Sequence, residues 1–170
     1  MSNLIDLRYQ LQRRSRDEIL RHLQTFDLDL KVSVGIWFFA PGGGRFHDRY
    51  TEPLTIPQRL EIAAEMARFG VKGIEAHYPA EVNEENLHLY KQLEKEAGIR
   101  LVLIAPFIFF DRVFEFGSGS NPYPAVRKQA GETIVKTLKM VQAAGADMCV
   151  VWPGIDGFTY PLGTLFYEMW

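Results

Sequence analysis

Residues 147–157 read DMCVVWPGIDG, and this stretch decides the fold class. It opens on a charged residue, runs apolar over 148–151 and breaks at Trp152-Pro153-Gly154. A short apolar run between turn residues is typical of a strand buried on both faces, as in a parallel sheet. Just upstream, helical spacing over 133–144 stops at Gly145. We therefore predict a helix that leads into a buried strand.

The same alternation occurs earlier in the chain. Apolar stretches at 31–38, 71–77 and 99–105 predict three more strands, and helices are predicted over 55–70, 84–97 and 125–144. Each of these helices meets a Gly at its end, which is a common helix stop. A leading helix over 17–26, capped by Ser15, is expected to pack outside the first strand. Helices alternating with strands predict an α/β fold with four parallel βα units.

Composition narrows the function classes. A chain of 170 residues fits one domain. Its net charge of −2 means that it lacks the excess of basic residues that is typical of nucleic-acid-binding proteins. The longest apolar run, 101–110, is too short to span a membrane, and the polar N-terminus does not resemble a signal peptide. The lone Cys149 excludes an internal disulfide and indicates a reducing compartment. We expect a cytoplasmic protein.

We predict a single domain over 1–170. Residues 1–30 hold the leading helix, 31–157 hold four parallel strands with three intervening helices, and 158–170 begin a further helix. That last stretch, which ends in TLFYEMW, has no capping residue. We therefore expect the chain to be cut off at the start of the fourth helix that follows a strand.

Three stretches together resemble a known family. They are VSVGIW at 32–37, FGVKGIEAH at 69–77, and LVLIAPFIF at 101–109 followed by GSGSNPYPAVRKQA at 117–130 and VVWPGIDG at 150–157. In their order and spacing they resemble the N-terminal half of xylose isomerase-like (β/α)8 barrels, in the sugar isomerase/epimerase superfamily. The resemblance covers roughly residues 30–165. It implies a parallel (β/α)4 half of a TIM barrel.

The resemblance also implies roles for individual residues. His77 would be catalytic, bonding the sugar's ring oxygen or O5 and assisting ring opening. Trp37, Phe109 and Trp152 would form an aromatic wall that binds the sugar. A divalent metal (Mn, Mg or Co) is implied for the complete barrel, where it would polarise O1 and O2 for a hydride shift. The family's metal ligands lie on later strands, so we expect no metal ligand in this chain.

Two departures from the family pattern matter. The family pairs its histidine with an Asp three residues on, and here that position is Ala80. The nearest carboxylates are Glu75 and Glu81. Glu75 shares a strand face with His77 because side chains alternate; it could bind substrate or metal, orient the histidine, or be a structural carboxylate paired with Lys or Arg. The WPGIDG run lacks the family's Arg, which favours a sugar other than xylose.

Other candidate residues have more than one interpretation each. His47 and Asp48 in a Gly-rich loop could bind a metal, although such a pair is more often solvated. Five phenylalanines could line a sugar pocket, form a dimer contact, or simply belong to the core: Phe107, Phe109, Phe110, Phe114 and Phe116.

These observations favour a sugar isomerase for aldose–ketose conversion, similar to xylose or rhamnose isomerase and metal-assisted. This chain would carry only its N-terminal half and be inactive alone. Four strands cannot close a barrel, so a self-associating, non-catalytic half-barrel scaffold is the alternative. An apurinic-site endonuclease-like DNA repair enzyme is disfavoured by the net charge. The expected partners are a small sugar and either a second copy of the chain or a missing C-terminal half, with no nucleic acid and no membrane.

Overall fold

The computed structural model describes residues 14–26, 30–40 and 52–154. The chain divides into two compact units, Met1–Leu30 and Lys31–Trp170. In the first unit, helix α1 spans Arg16–Gln24. Ser15 and Glu18 form a reciprocal capping box at its start, with Ser15 Oγ accepting from the Glu18 N–H at 3.2 Å. The predicted leading helix and its cap are confirmed, whereas its packing against the first strand stays a prediction.

The second unit contains a four-stranded sheet in which every neighbouring pair is parallel, in the order β1-β2-β3-β4. The strands are β1 Val32–Gly35, β2 Val71–Tyr78, β3 Arg100–Pro106 and β4 Met148–Cys149. The helices between them are α2 Ile56–Glu65, α3 Leu87–Ala97 and α4 Pro124–Ala144. The predicted α/β class is confirmed, and the arrangement is consistent with half of a TIM barrel.

The ends of the helices follow from local chemistry. Thr55 forms a capping box with Gln58 at the start of α2, where proline also occupies the first turn. Gly98 and Gly145 end α3 and α4 with φ of +68°, a conformation that glycine adopts without steric cost. The predicted ends of α3 and α4 are therefore confirmed. The helix predicted over 55–70 differs, because α2 ends at Glu65 and a 3₁₀ helix, Met66–Phe69, continues the chain to Gly70.

The start of α3 differs from the prediction. The spacing predicts a helix from residue 84, but α3 begins at Leu87. Asn83 and Asn86 each accept a hydrogen bond from the other's backbone N–H through their side-chain oxygens, at 3.2 and 2.8 Å. Asparagine side chains compete with helical backbone bonding in this way, so the turn over 83–86 delays the helix.

The core lies on one face of the sheet. In β2, the alternate residues Ile74, Ala76 and Tyr78 are buried against the helices. Tyr90 of α3 is the largest of the fully buried side chains. The opposite face of β2 carries partly exposed polar side chains, including that of His77. Because side chains alternate along a strand, these side chains point away from the helical layer.

Two strand predictions were wrong in extent. The first strand stops at Gly35, and Ile36–Phe39 form a 3₁₀ helix, so Trp37 follows the strand rather than ending it. The strand β4 has two residues rather than four, and it is not buried on both faces: Met148 is 50% exposed and Val151 is 49% exposed. The reason is position, because within the described residues β4 is at the edge of the sheet with β3 on one side.

The predicted further helix over 158–170 lies outside the described residues. Within the described segments, no helix is long and apolar enough to cross a membrane.

Candidate active site

The four aromatic residues predicted as a site come together at the carboxyl ends of the strands. The ring centroids of Trp37 and His77 are 4.6 Å apart, those of His77 and Phe109 are 5.3 Å apart, and those of Phe109 and Trp152 are 4.7 Å apart. The rings therefore form a continuous row from β1 to β4. In parallel α/β folds this edge of the sheet carries the chemistry.

The phenylalanines divide between this row and the core. The ring of Phe107 lies 5.7 Å from that of His77 and 5.1 Å from that of Phe109, and Phe110 contacts Phe107 at 5.6 Å. Phe114, in contrast, is buried in a small cluster with Ile108. Phe107 is a member of the row that the resemblance did not single out.

The position of Trp37 depends on a glycine. A Cβ added to Gly35 would lie 2.1 Å from the nearest atom of the Trp37 indole. The ring therefore lies directly on the backbone of Gly35, which brings it against His77. The Gly-Ile-Trp sequence at the end of β1 is what makes this close approach possible.

Glu81 is the carboxylate that holds His77. Its Oε2 lies 2.7 Å from Nδ1 of His77 and accepts the backbone N–H of His77 at 2.9 Å. An ionised carboxylate only accepts hydrogen bonds, so Nδ1 carries the proton of the neutral ring and Nε2 has the lone pair. Among the residues that the structure describes, Nε2 has no hydrogen-bond partner.

Several contacts fix Glu81 itself. Its backbone N–H donates to the carbonyl of His77 at 2.8 Å, and its carbonyl accepts from Tyr90 Oη and Asn86 Nδ2, both at 3.0 Å. Its carboxylate Oε1 is 3.5 Å from the guanidinium of Arg59. The residue is 8% exposed. The carboxylate is thus fixed in place and largely desolvated.

Glu81 was predicted from the sequence only as a nearby carboxylate, and Glu75 alone was considered as the one that could orient His77. The family pattern directed attention to Ala80, but the turn after β2, which begins with a cis Tyr78–Pro79 peptide bond, returns the chain so that the fourth residue faces the histidine. A Pro followed shortly by Glu directly after a strand-end His was the available signal. Arg59, 18 positions upstream on α2, gave none.

Glu75 lies on the same face of β2 as His77 but contacts a different partner. Its Oε1 accepts a hydrogen bond from the hydroxyl of Ser33 on β1. It forms no ion pair with Lys or Arg within the described segments, and the carboxylate that orients His77 is Glu81. The expected structural pairing with Lys or Arg is therefore not seen there, and the sugar-binding role of Glu75 stays a prediction.

The described residues do not bring together a set of metal ligands. They contain no group of three or more His, Cys, Asp or Glu side chains that could hold one. His47 and Asp48 lie outside the described residues. The part of the chain that the structure describes therefore does not fit a metal centre by itself.

Tyr90, which donates to the Glu81 carbonyl, makes the stability of the fold sensitive to alkaline pH. Burial raises the pKa of the phenol above its usual range, and the charge of Glu81 raises it further, while Arg59 lowers it. Because the folded-state pKa is raised, the neutral phenol stabilises the fold fully below the unfolded pKa, and this stability is lost as pH rises above about 10. Above that pH we expect the wild type to lose about 1.4 kcal/mol more per pH unit than Tyr90→Phe. Urea unfolding of both proteins between about pH 9 and 11 measures this difference in the free energy of unfolding.

The matched control is Tyr123→Phe, because the Tyr123 side chain is 61% exposed. This variant should keep the steep alkaline loss of the wild type. Equal slopes for the wild type and Tyr90→Phe would contradict the burial argument.

Comparison with known proteins gives similarity without a family assignment. No family model matches the chain. The chain is 24% identical over 136 residues to the xylose isomerase of Thermus thermophilus, and equally to that of Thermus caldophilus. In both cases the match covers 75% of this chain and 34% of the relative, so the chain spans about a third of the length of these relatives. The strand-end row and the His77–Glu81 pair thus belong to a chain that is distantly similar to two xylose isomerases.

Proposed function

We propose that the chain supplies the histidine side of a sugar isomerase site of the xylose isomerase-like type. The observation that carries this proposal is the His77–Glu81 pair, set in a row of aromatic rings at the carboxyl ends of parallel strands. The similarity to two xylose isomerases supports it. Because the match covers about a third of those proteins, the complete activity is a proposal for a larger assembly than this chain.

His77 would assist the opening of a cyclic aldose. With the proton on Nδ1, Nε2 accepts the proton of the anomeric hydroxyl; the C1–O5 bond breaks, and the same nitrogen returns the proton to O5. Glu81 stabilises the imidazolium that forms between these two transfers. Atoms and charge balance, and the product is the open-chain aldose.

The aromatic row would bind the C–H face of the sugar and exclude water. Trp37 and Phe109 are partly buried beside His77, and Trp152 remains 44% exposed at the edge of the row. Conversion of the open-chain aldose to the ketose requires a metal in the family that the chain resembles. The described residues do not form such a site, so the metal's ligands would come from outside them.

The experiment is a titration of the ¹⁵N-labelled chain with xylose and with rhamnose, followed by NMR. We expect shifts of the Trp37 and Trp152 indole signals and of the His77 ring, with a Kd on the order of millimolar. His77→Gln should weaken binding about tenfold, because the ring's polar contact with the sugar is lost.

The control is His88→Gln, which changes an exposed histidine on α3 and should leave the titration unchanged. Absence of any shift at His77 and at the two tryptophans with both sugars would contradict the proposal.

A second candidate function is the self-associating, non-catalytic half-barrel. The observation in its favour is the exposed apolar edge at β4, where Met148, Val150, Val151 and Trp152 are 38–50% exposed. Such surfaces favour association. Light scattering on the same samples separates the two: a stable dimer without sugar binding supports the scaffold, and sugar binding supports the isomerase site.

A further inference from the structure

We propose that Arg59 is a positioning residue for His77: acting through Glu81, it fixes which ring nitrogen carries the proton and so leaves Nε2 for the ligand. The assignment of the ligand as a sugar rests on the proposed function, whereas the positioning does not. Within the described part of the chain, Arg59 forms an ion pair with Glu81 and a hydrogen bond with the carbonyl of Leu54, and neither involves the imidazole. Its effect on the site passes through the carboxylate.

The first argument is the way in which Glu81 divides its two oxygens. Oε1 lies 3.5 Å from the Arg59 guanidinium, while Oε2 accepts both the backbone N–H and Nδ1–H of His77. Each oxygen therefore serves one partner. If the guanidinium were removed, the carboxylate could rotate, and its hold on Nδ1 would weaken.

The second argument is desolvation. The side chains of Arg59, Glu81 and His77 are 16%, 10% and 13% exposed. An ionised carboxylate with so little water is unfavourable unless a cation and hydrogen bonds compensate it. Arg59 supplies the cation, and the carboxylate that it compensates is purely an acceptor towards Nδ1.

The third argument is that every member is anchored to a rigid element. Arg59 lies in the first turns of α2, and its Nε donates to the carbonyl of Leu54 at 3.2 Å. The Glu81 carbonyl is held by the buried Tyr90. His77 is on β2, which is paired with β1 on one side and β3 on the other. A chain of contacts anchored in this way can hold an imidazole in one orientation, as the outer partners of functional histidines do.

The experiment measures the tautomer of His77 directly, in the absence of sugar. Long-range ¹H–¹⁵N correlation spectra distinguish Nδ1–H from Nε2–H rings, and His77→Gln assigns the signal among the four histidines of the chain. In the wild type at a pH where the ring is neutral, we expect mainly the Nδ1–H form. In Arg59→Met we expect the ratio of Nδ1–H to Nε2–H to fall by roughly threefold to tenfold, the scale of a charge-assisted contact. Arg59→Lys, which keeps the charge, should restore most of the ratio.

The matched control is Arg68→Met. It removes a cation just beyond the same helix, where Arg68 and Glu65 form an ion pair with both side chains 67% exposed. This variant should leave the His77 tautomer unchanged. If Arg59 had a purely structural role, Arg59→Met would lower the free energy of unfolding without changing the tautomer ratio of His77. A folded Arg59→Met protein with the wild-type ratio would overturn the proposal.

A second pair of variants keeps the test decisive if Arg59→Met does not fold. In a Glu81→Gln background the neutral amide needs no cation, so Arg59→Gln should leave the His77 ratio unchanged, whereas Arg59→Gln alone should lower it. An equal fall in both backgrounds would refute a route through Glu81. Because no sugar is present, a failed sugar titration has no bearing on this result.

Discussion

Replacing Glu81 by alanine should lower the free energy of unfolding by about 2–4 kcal/mol. The substitution leaves the Arg59 guanidinium without its carboxylate in a site where that side chain is 16% exposed. It also removes the acceptor of two His77 donors, the backbone N–H and Nδ1–H. A partly buried charge and two donors left without this acceptor are each costly. Urea denaturation followed by circular dichroism measures the change.

Two companion variants separate charge from shape. Glu81→Gln keeps an oxygen for the His77 donors and should cost less than the alanine variant. Glu85→Ala removes an exposed glutamate from the next turn, over 83–86. Its side chain makes no hydrogen bond or ion pair with the described residues, so the variant should change stability by less than about 0.5 kcal/mol. If Glu81→Ala and Glu85→Ala cost the same, Glu81 has no special role in the fold.

Replacing Gly35 by alanine should expel the Trp37 ring from its place and lower the free energy of unfolding by about 1–3 kcal/mol. The new Cβ would lie 2.1–2.6 Å from three carbon atoms of the indole, far closer than carbon atoms can approach. A rigid ring cannot bend away locally, so its contact with His77 at 4.6 Å should be lost. Tryptophan emission should shift to longer wavelength as the ring becomes hydrated, and the His77 ring signals should move.

Gly131→Ala is the matched control, since it adds the same methyl group in the middle of α4. Apart from its chain neighbours and the backbone of its own helix, no heavy atom of the described residues lies within 4 Å of the position of that Cβ. Alanine restricts the unfolded chain and favours helix, so this variant should be about 0.5–1 kcal/mol more stable than the wild type. Should Gly35→Ala behave like Gly131→Ala, the close packing of Trp37 on the β1 backbone would be refuted.

The fold class could be predicted from the sequence pattern, and the grouping of the site from the resemblance to xylose isomerase-like barrels. The carboxyl ends of parallel strands that alternate with helices all face one edge, and the resemblance implied which residues there, Trp37, His77, Phe109 and Trp152, would form the site. Helix ends were equally readable, because Gly98 and Gly145 fill a backbone conformation that other residues avoid. These features depend on local rules that apply everywhere in the chain.

The parts that could not be predicted depend on specific neighbours. Glu81 reaches His77 through the geometry of one turn, and Arg59 reaches Glu81 from another element. An apolar run such as 148–151 fits an interior strand or an edge strand, and only the observed pairing distinguishes them. Tertiary position therefore decided the burial of β4, where periodicity could not.

The end of α4 is held by side chains from α3 and β3. The last turn of this helix has no basic residue of its own, yet Lys91 of α3 donates to the carbonyl of Ala144, and Arg100 of β3 donates to the carbonyl of Gly145 at 3.1 Å and pairs with Asp147. Cations at a helix C-terminus compensate its free carbonyls. The α4–β4 segment therefore lacks autonomy, because the end of α4 is completed only where α3 and β3 have already folded. The two segments should form and melt as one cooperative block.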